Sequence, residues 1–281
     1  MNLNDHVWAP PLVRLVGQFD HPDLEDAVEL LRAGAQIIAS PDVPPELIVV
    51  AQSRPGEISD QTIKSLRRCA PLSGLVALLG TWCEGETRNG RPWPGVERLY
   101  WYEFPAWWRR QLALRAAGHC PDWARAHGFA QASRVVPDPG RGRGLPGSPP
   151  IRNSARGLIV LSAAVRETAA ALADILQQAG YASVWQSPAR PAPIVRGAAA
   201  GIWEGGQLSE READHLAAFC RALAPDAAPV IALLDFPRHD RCKLARDLGA
   251  AAILGKPWLN SDLIRTMIRT VVANSTRVRA A

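Results

Sequence analysis

Short apolar runs alternate with helical patterns along the second half of the chain. Each run has the length of a buried strand, and the segments between most of them carry apolar residues at helical spacing. The five runs are Gly157–Ser162, Ala182–Trp185, Ala198–Trp203, Pro229–Leu234 and Ala251–Leu254. Strands that alternate with helices predict a parallel sheet with helices on both of its faces.

The first half of the chain repeats this order. Its predicted strands are Val13–Val16, Gln36–Ala39, Leu47–Ala51, Gly74–Leu79 and Glu97–Tyr102. The fourth strands of the two halves, GLVALL and PVIALL, resemble each other, and so do the stretches that follow the two third strands. We therefore predict an internal duplication of class α/β, in which each copy is a five-stranded parallel sheet covered by helices.

A segment rich in proline, glycine and arginine separates the two halves. Val135–Arg156 has almost no apolar residue after Val136, so it buries too little surface to offset the entropy lost on ordering. We interpret residues 135–156 as a linker with some extended character between domains at 1–134 and 157–281.

Composition excludes several classes of protein. No stretch of 18 apolar residues is present, and Met1–Pro11 has neither the basic nor the apolar region of a signal peptide, so we expect a cytoplasmic chain without a membrane partner. The five cysteines are widely spaced and include no C-x-x-C pair, which indicates neither a disulfide framework nor a zinc site. The net charge of +5 is only weak support for a nucleic-acid partner.

Two motifs carry a resemblance to a known family. In the second half, GAAAILGKPW at residues 249–258 places a lysine and a proline directly after the last strand. It looks like the fifth strand of the response-regulator receiver (CheY-like) family, with Lys256 at the invariant lysine and Pro257 at the usual cis-proline. In the first half, Pro45–Val50 followed by Pro55 resembles the third strand and the next loop. The resemblance implies two flavodoxin-like domains of the kind used in two-component signal transduction.

The resemblance also implies that the first domain has lost its chemistry. Receivers use a nucleophilic aspartate after the third strand, an acidic pair that holds Mg²⁺ after the first, a hydroxyl after the fourth and a lysine after the fifth. Counting back from Pro55 places Ala51 at the nucleophile, Phe104 stands at the lysine position, and only Asp20 lies near the acidic pair. Alanine cannot accept a phosphoryl group, so we expect this domain to be inert.

The second domain keeps more of the pattern. Glu204 stands at the degenerate phosphoacceptor position, Ser162 and Ala163 replace the acidic pair, and Lys256 is retained. We expect the strands that end near Glu204 and Lys256 to be neighbours in the sheet. Because an unpaired ammonium in a partly buried cleft is costly, we expect these two residues to form a salt bridge. Either the pair mimics an activated state, or Glu204 is a surface carboxylate that is weakly paired.

Six of the ten tryptophans lie between Trp82 and Trp123, where a receiver would have its fourth helix and the elements that follow. Aromatic residues beside arginine are frequent at binding hot spots. The candidate interaction surface consists of Trp82, Arg91, Trp93, Trp108 and Arg109. A competing interpretation is that the tryptophans cover the sheet in place of a missing helix.

No enzyme signature is present, so we expect a non-catalytic regulatory module that needs no cofactor or metal. It would act through contacts with an unknown protein partner, nucleic acid is not expected as a partner, and a homodimer is one possibility. Two further functions stay open. One is a sensor of a small molecule or nucleotide at the carboxyl ends of the strands. The other is a weak nucleic-acid binder that uses the Trp/Arg loop.

Overall fold

A computed structural model describes residues 9–40, 42–86, 93–125, 156–188 and 196–280. The chain divides into two compact units, Met1–Pro137 and Asp138–Ala281, which we call unit 1 and unit 2. The predicted linker lies outside the described residues except for Arg156, and its role stays a prediction. Within the described residues, no helix is both long and apolar enough to cross a membrane.

Unit 1 is built on a sheet of five parallel strands in the order β2-β1-β3-β4-β5. Its described elements are β1 (Leu12–Val16), α1 (Glu25–Gly34), β2 (Gln36–Ile37), β3 (Leu47–Gln52), α2 (Asp60–Cys69), β4 (Gly74–Leu79), β5 (Glu97–Tyr100) and α3 (Phe104–Ala116). Short 3₁₀ turns follow β1, β4 and α3, at Pro22–Leu24, Thr81–Cys83 and Asp122–Ala124.

Unit 2 repeats the arrangement with strand order β10-β9-β8-β6-β7, again all parallel. Its described elements are β6 (Leu158–Ser162), α4 (Arg166–Gln178), β7 (Ala182–Gln186), β8 (Ala198–Glu204), α5 (Glu210–Leu223), β9 (Val230–Asp235), α6 (His239–Asp247), β10 (Ala250–Lys256) and α7 (Asn260–Ala280).

Numbered within each unit, both sheets have the strand order 2-1-3-4-5. This is the order of flavodoxin and CheY, so the predicted class of two flavodoxin-like α/β domains is confirmed. The observed strands lie close to the predicted ones. The largest difference is β10, which has seven residues where the sequence pattern predicts four, and β2 has two residues where four were predicted.

The core of unit 1 lies on both faces of its sheet. β3 and β4 are buried along their whole length, as expected for central strands of a parallel sheet. On one face, Ile63 of α2 packs with Ile48 and Val50 of β3. On the other, α1 and α3 meet, and the indole of Trp108 donates a hydrogen bond of 3.1 Å to the carbonyl of Leu30.

The assignment of Trp108 to an interaction surface is wrong. Trp107 and Trp108 are neighbours on α3, and their side chains leave the helix about 100° apart. The turn at Asp122–Ala124 nevertheless brings Trp123 against both rings, with centroids 5.8 and 5.6 Å away. Phe104 stacks on Trp108 as well, and all four aromatic residues are buried. We call these four residues the aromatic cluster of unit 1.

The core of unit 2 is organised by α5. Its start is fixed by a capping box, in which Glu212 accepts a hydrogen bond of 2.8 Å from the backbone N–H of Ser209. The buried face of the helix, with Phe219 and Leu223, packs on Trp203 and Val230 of the sheet. Helix α4 packs on β6 and β7, and α7 packs on β8 and β10.

We predict that Trp108→Ala destabilises unit 1 by about 4 kcal/mol, because it leaves a large cavity between α1, α3 and Trp123. Trp82→Ala is the matched control and should change stability by less than about 0.5 kcal/mol, because that side chain is 68% exposed. Urea unfolding by circular dichroism, with hydrogen exchange of unit 1 peptides, measures both. Equal losses in the two variants would contradict the assignment of the core.

Candidate functional site

The retained lysine of unit 2 lies between two carboxylates. Lys256 ends β10, and its ammonium donates a hydrogen bond of 2.5 Å to Oε1 of Glu204. A second carboxylate, Oδ1 of Asp235, lies 2.9 Å from the same nitrogen. The predicted salt bridge between Glu204 and Lys256 is therefore present, and the predicted cis bond before Pro257 is present too. We call Glu204, Asp235 and Lys256 the charged triad.

The strands that carry Glu204 and Lys256 were expected to be neighbours in the sheet, and this expectation is wrong. β9 lies between β8 and β10. In the register of the sheet, Lys256 stands opposite Asp235 and Glu204 stands opposite Leu233. The glutamate therefore reaches the lysine across the end of β9, which its longer side chain permits.

Asp235 is the member of the triad that sequence reasoning missed. The predicted fourth strand ends at Leu234, one residue before it, and no hydroxyl residue stands there to suggest a site. A signal was nevertheless available, because an acidic residue directly after an apolar strand lies at the carboxyl edge of a parallel sheet. The same edge is where the lysine was expected.

The loop after β8 holds the two carboxylates in place. The N–H of Gly205 donates to the carbonyl of Leu233 at 3.0 Å, and the N–H of Asp235 donates to the carbonyl of Gly206 at 2.9 Å. These bonds tie the end of β8 to the end of β9. The indole ring of Trp203 fills the space where a side chain at Gly205 would begin, so this site requires glycine.

The triad keeps its lysine charged. Burial alone would lower the pKa of Lys256, but its hydrogen bonds and its attraction to Glu204 and Asp235 outweigh burial and raise the pKa above the ordinary value. The ammonium is thus protonated throughout the neutral range, and two of its hydrogen-bond donors are in use. The arrangement is a closed ion cluster at the place where a receiver would contact a phosphoryl group.

The end of β6 offers no carboxylate to a metal ion. Ser162 and Ala163 are buried there, and the indole N–H of Trp185 donates to the carbonyl of Ala163 at 3.0 Å. Across the described parts of both units, no group of three or more His, Cys, Asp or Glu residues is placed to hold a metal.

The register of the sheets relates the two units residue by residue. Ala51 stands opposite Leu78 in β4, and Glu204 stands opposite Leu233 in β9. Both partners are the second-last residue of the matched GLVALL and PVIALL strands, which supports equivalent positions for Ala51 and Glu204. Ala51 is buried, so its methyl group lies in the core.

The same register corrects the lysine position of unit 1. Lys256 stands opposite Asp235, the residue that follows the matched PVIALL strand. In unit 1 the corresponding residue of β4 is Gly80, and the pairing of Leu79 with Tyr100 brings Trp101 opposite it. Trp101 therefore takes the place of the lysine, and Phe104, which the sequence indicated for that place, begins α3.

The carboxyl edge of unit 1 is occupied by contacts within the unit. Asp23 is buried and accepts a hydrogen bond of 2.9 Å from the backbone N–H of Thr81. Glu86 accepts a hydrogen bond from Gln52 and forms a salt bridge of 2.6 Å with Arg98. Asp20, the acidic residue near the acidic-pair position in the sequence, is exposed. Sequence spacing alone did not indicate Asp23, because it lies in the turn before α1.

The remaining members of the candidate interaction surface have different positions. Trp82 is exposed directly after β4, as a binding residue would be. Trp93 is buried against β3 and β4, which corrects its assignment to the surface and favours the interpretation that it covers the sheet. Arg109 is half-buried and donates to the carbonyl of Pro105, and Arg91 lies outside the described residues.

Unit 2 has an exposed aromatic residue beside the charged triad that the sequence did not indicate. Phe236 follows Asp235 at the end of β9, is 52% exposed, and has a left-handed backbone conformation with φ of 40°. Such a conformation is unfavourable for a residue with a bulky side chain and is frequent at functional sites. Each unit thus presents one exposed aromatic side chain within three residues of the end of its fourth strand.

No protein-family model and no curated protein sequence matches the chain. Among solved structures, full-length FixJ from B. japonicum aligns with 45% of this chain and 63% of its own, at 16% identity and a TM-score of 0.34. A CheY-like receiver domain protein from Methanospirillum hungatei aligns with 43% of this chain and 97% of its own, at 12% identity and a TM-score of 0.35. A response regulator receiver protein from Pseudoalteromonas atlantica aligns with 42% and 98%, at 17% identity and a TM-score of 0.35.

The fold is identified by the strand orders of the two sheets and not by these alignments.

A double-mutant cycle tests the charged triad. Glu204→Gln should cost about 1 kcal/mol, because Asp235 still pairs with the lysine. Lys256→Met should cost more, about 2 kcal/mol, because it leaves two carboxylates facing each other. The loss of stability in the double variant should differ from the sum of the two single losses, which shows that the two residues are coupled. Lys243→Met is the control, since its salt bridge with Asp247 is exposed. Hydrogen exchange of peptides from β8 and β10 measures each change, and additive effects would contradict the pairing.

The raised pKa of Lys256 predicts that the stability contributed by the charged triad depends on pH. Because the folded pKa of Lys256 is raised, its stabilising contribution is fully present at neutral pH and is lost as the pH rises through that value. The stability difference between the wild type and Lys256→Met should therefore shrink above about pH 10.4, the ordinary pKa of lysine. A difference that stays constant into the alkaline range would argue against a charged partner.

Proposed function

We propose that this chain is a non-catalytic signalling module of the response-regulator type, which acts through protein contacts without being phosphorylated. One observation carries the proposal. The lysine that would contact a phosphoryl group already binds Glu204 and Asp235, and the equivalent of Glu204 in unit 1 is the buried Ala51.

The chemistry of phosphoryl transfer supports this proposal. Transfer to a carboxylate develops charge on the phosphoryl oxygens, which a metal ion and a free cation must neutralise. In unit 2, Ser162 and Ala163 stand where the carboxylates for the metal would be, and the ammonium of Lys256 is engaged. In unit 1, an alanine methyl group offers no nucleophile.

The charged triad also suggests how unit 2 could signal without phosphate. In a phosphorylated receiver the lysine contacts the phosphoryl group, and here the carboxylate of Glu204 makes the corresponding contact. We infer that unit 2 is held in one state by this ion pair, so that its partner-binding surface is presented constitutively. Glu204→Gln should then weaken partner binding, whereas Glu204→Asp, which keeps the charge, should have the smaller effect.

Incubation with acetyl phosphate and Mg²⁺, followed by intact-mass analysis, tests phosphorylation directly. We expect no added phosphate on the full chain, because neither unit combines a nucleophilic aspartate with a metal site. A CheY-like receiver treated in parallel is the positive control. A stoichiometric adduct that is stable in acid and labile in base would overturn the proposal.

The exposed aromatic residues favour a protein partner over a nucleic acid. Trp82 and Phe236 each follow the fourth strand of their unit, and large exposed aromatic side chains are enriched at binding hot spots. Trp93, which would have stacked on bases in a nucleic-acid binder, is buried and offers no free ring face. We therefore place the partner-binding surface at the carboxyl edge of each sheet, next to Trp82 and Phe236.

Affinity capture from the native cell, with the tagged full chain as bait, tests this surface. Trp82→Ala or Phe236→Ala should weaken binding of the wild-type partner more than about tenfold, because a hot-spot aromatic residue contributes at least about 2 kcal/mol. Leu72→Ala is the control, since Leu72 is 97% exposed in the turn between α2 and β4. Unchanged capture by both aromatic variants, or tight salt-sensitive binding of single-stranded DNA instead, would contradict the proposal.

A further inference from the structure

The two sheets of this protein have four edge strands, and three of them are protected. An unprotected edge strand exposes unpaired backbone groups that pair readily with another chain. β2 is only two residues long, and β5 carries Glu97 and Arg98. β10 has an irregularity in its register between Ala250 and Ala252. Shortness, charge and bulges are the usual means by which proteins prevent pairing at an edge.

β7 has none of these protections. It pairs with β6 in an unbroken register over all five residues, Ala182–Gln186. The stretch from Tyr181 to Pro188 contains no charged side chain, and within β7 there is no proline or glycine. In the described part of unit 2, no strand pairs with the outer edge of β7, which ends the sheet.

The side chains of β7 are also unusually apolar for an exposed edge. Val184 is 38% exposed and Trp185 is 42% exposed, although the indole N–H of Trp185 already has a partner in the carbonyl of Ala163. Successive residues of a strand point to opposite faces, so one apolar side chain lies on each face of the sheet. A strand added at this edge would cover both of them.

We propose that β7 is a homodimer interface, in which it pairs antiparallel with β7 of a second copy around a two-fold axis near Val184. Symmetry explains the lack of charge. In a two-fold pair of this kind the residue on the axis faces its own copy, so a charge there would meet a like charge. With the axis at Val184, this valine faces itself and Trp185 faces Ser183 of the other copy, which places aromatic and aliphatic surface against neutral partners.

The proposed interface is small, which favours weak association. A pair of five-residue strands buries less than the roughly 1,200 Å² at which standard stable complexes begin. We therefore expect a reversible dimer with a dissociation constant in the micromolar range. This inference rests on the edge of unit 2 alone and is independent of the proposed function.

Sedimentation velocity of the full chain over a wide concentration range is the test. The wild type should shift from monomer to dimer as concentration rises. Val184→Lys places a charge against its own copy and should weaken association at least about fivefold. Leu72→Lys makes a similar exchange at an exposed turn of unit 1 and should associate like the wild type. An equimolar mixture of Val184→Lys and Val184→Glu should recover the dimer, because opposite charges then face each other.

Two results would overturn the inference. One is a wild type that remains monomeric at the highest concentration, and the other is a Val184→Lys variant that is folded by circular dichroism and associates as well as the wild type. If Val184→Lys fails to fold, hydrogen exchange of the wild type decides the question. Amides of the peptide that contains β7 should exchange more slowly at high than at low concentration. Equal exchange at the two concentrations would contradict pairing at this edge.

Discussion

Parallel strands that are all joined by crossover connections must end at the same edge of their sheet, and this constraint shapes both units. In unit 2 it brings the last residues of β8, β9 and β10 within reach of one another, although 52 positions separate Glu204 from Lys256 along the chain. The ammonium of Lys256 is partly buried there and would be costly without an anion. The glycine loop after β8 is hydrogen-bonded to the end of β9, and the ring of Trp203 packs against this loop. Both contacts place the two carboxylates beside the ammonium.

Unit 1 has the same strand order, but different residues occupy the carboxyl edge of its sheet. Where unit 2 has Glu204, Asp235 and Lys256, the register gives unit 1 Ala51, Gly80 and Trp101, so no ion pair is required at this point. A Cβ atom at Gly80 would lie 2.8 Å from the carbonyl oxygen of Ser53, so the backbone leaves no room for a side chain there. The two copies thus keep the same strand order. The ends of β8, β9 and β10 carry an ion cluster in unit 2, whereas the matching positions in unit 1 are uncharged and the charged contacts of that edge come from Asp23, Glu86 and Arg98.

The tryptophans show that tertiary packing, more than sequence surroundings, decides whether a side chain is buried or available for binding. Most of those in unit 1 stand in polar or basic sequence surroundings that are typical of a binding surface. Tertiary contacts bury Trp93 against the sheet and Trp108 between α1, α3 and Trp123. Trp82 alone of the predicted tryptophan surface is exposed among the described residues. In unit 2 an exposed aromatic residue near the end of the fourth strand is Phe236, which has no distinctive sequence surroundings.

The periodicity of apolar residues was sufficient to predict two α/β domains and nearly every strand, because strand length and helical spacing are local properties. The Ser-x-x-Glu pattern of Ser209 and Glu212 is also local and is typical of a helix start, and the resemblance around Lys256 and Pro257 led to the ion pair with Glu204. The sequence did not indicate that Asp235 belongs to the charged triad, that Trp101 is the counterpart of Lys256 in unit 1, or that Trp108 is buried. These depend on sheet register and on contacts between segments far apart in the chain, and only the folded structure determines which residues then face each other.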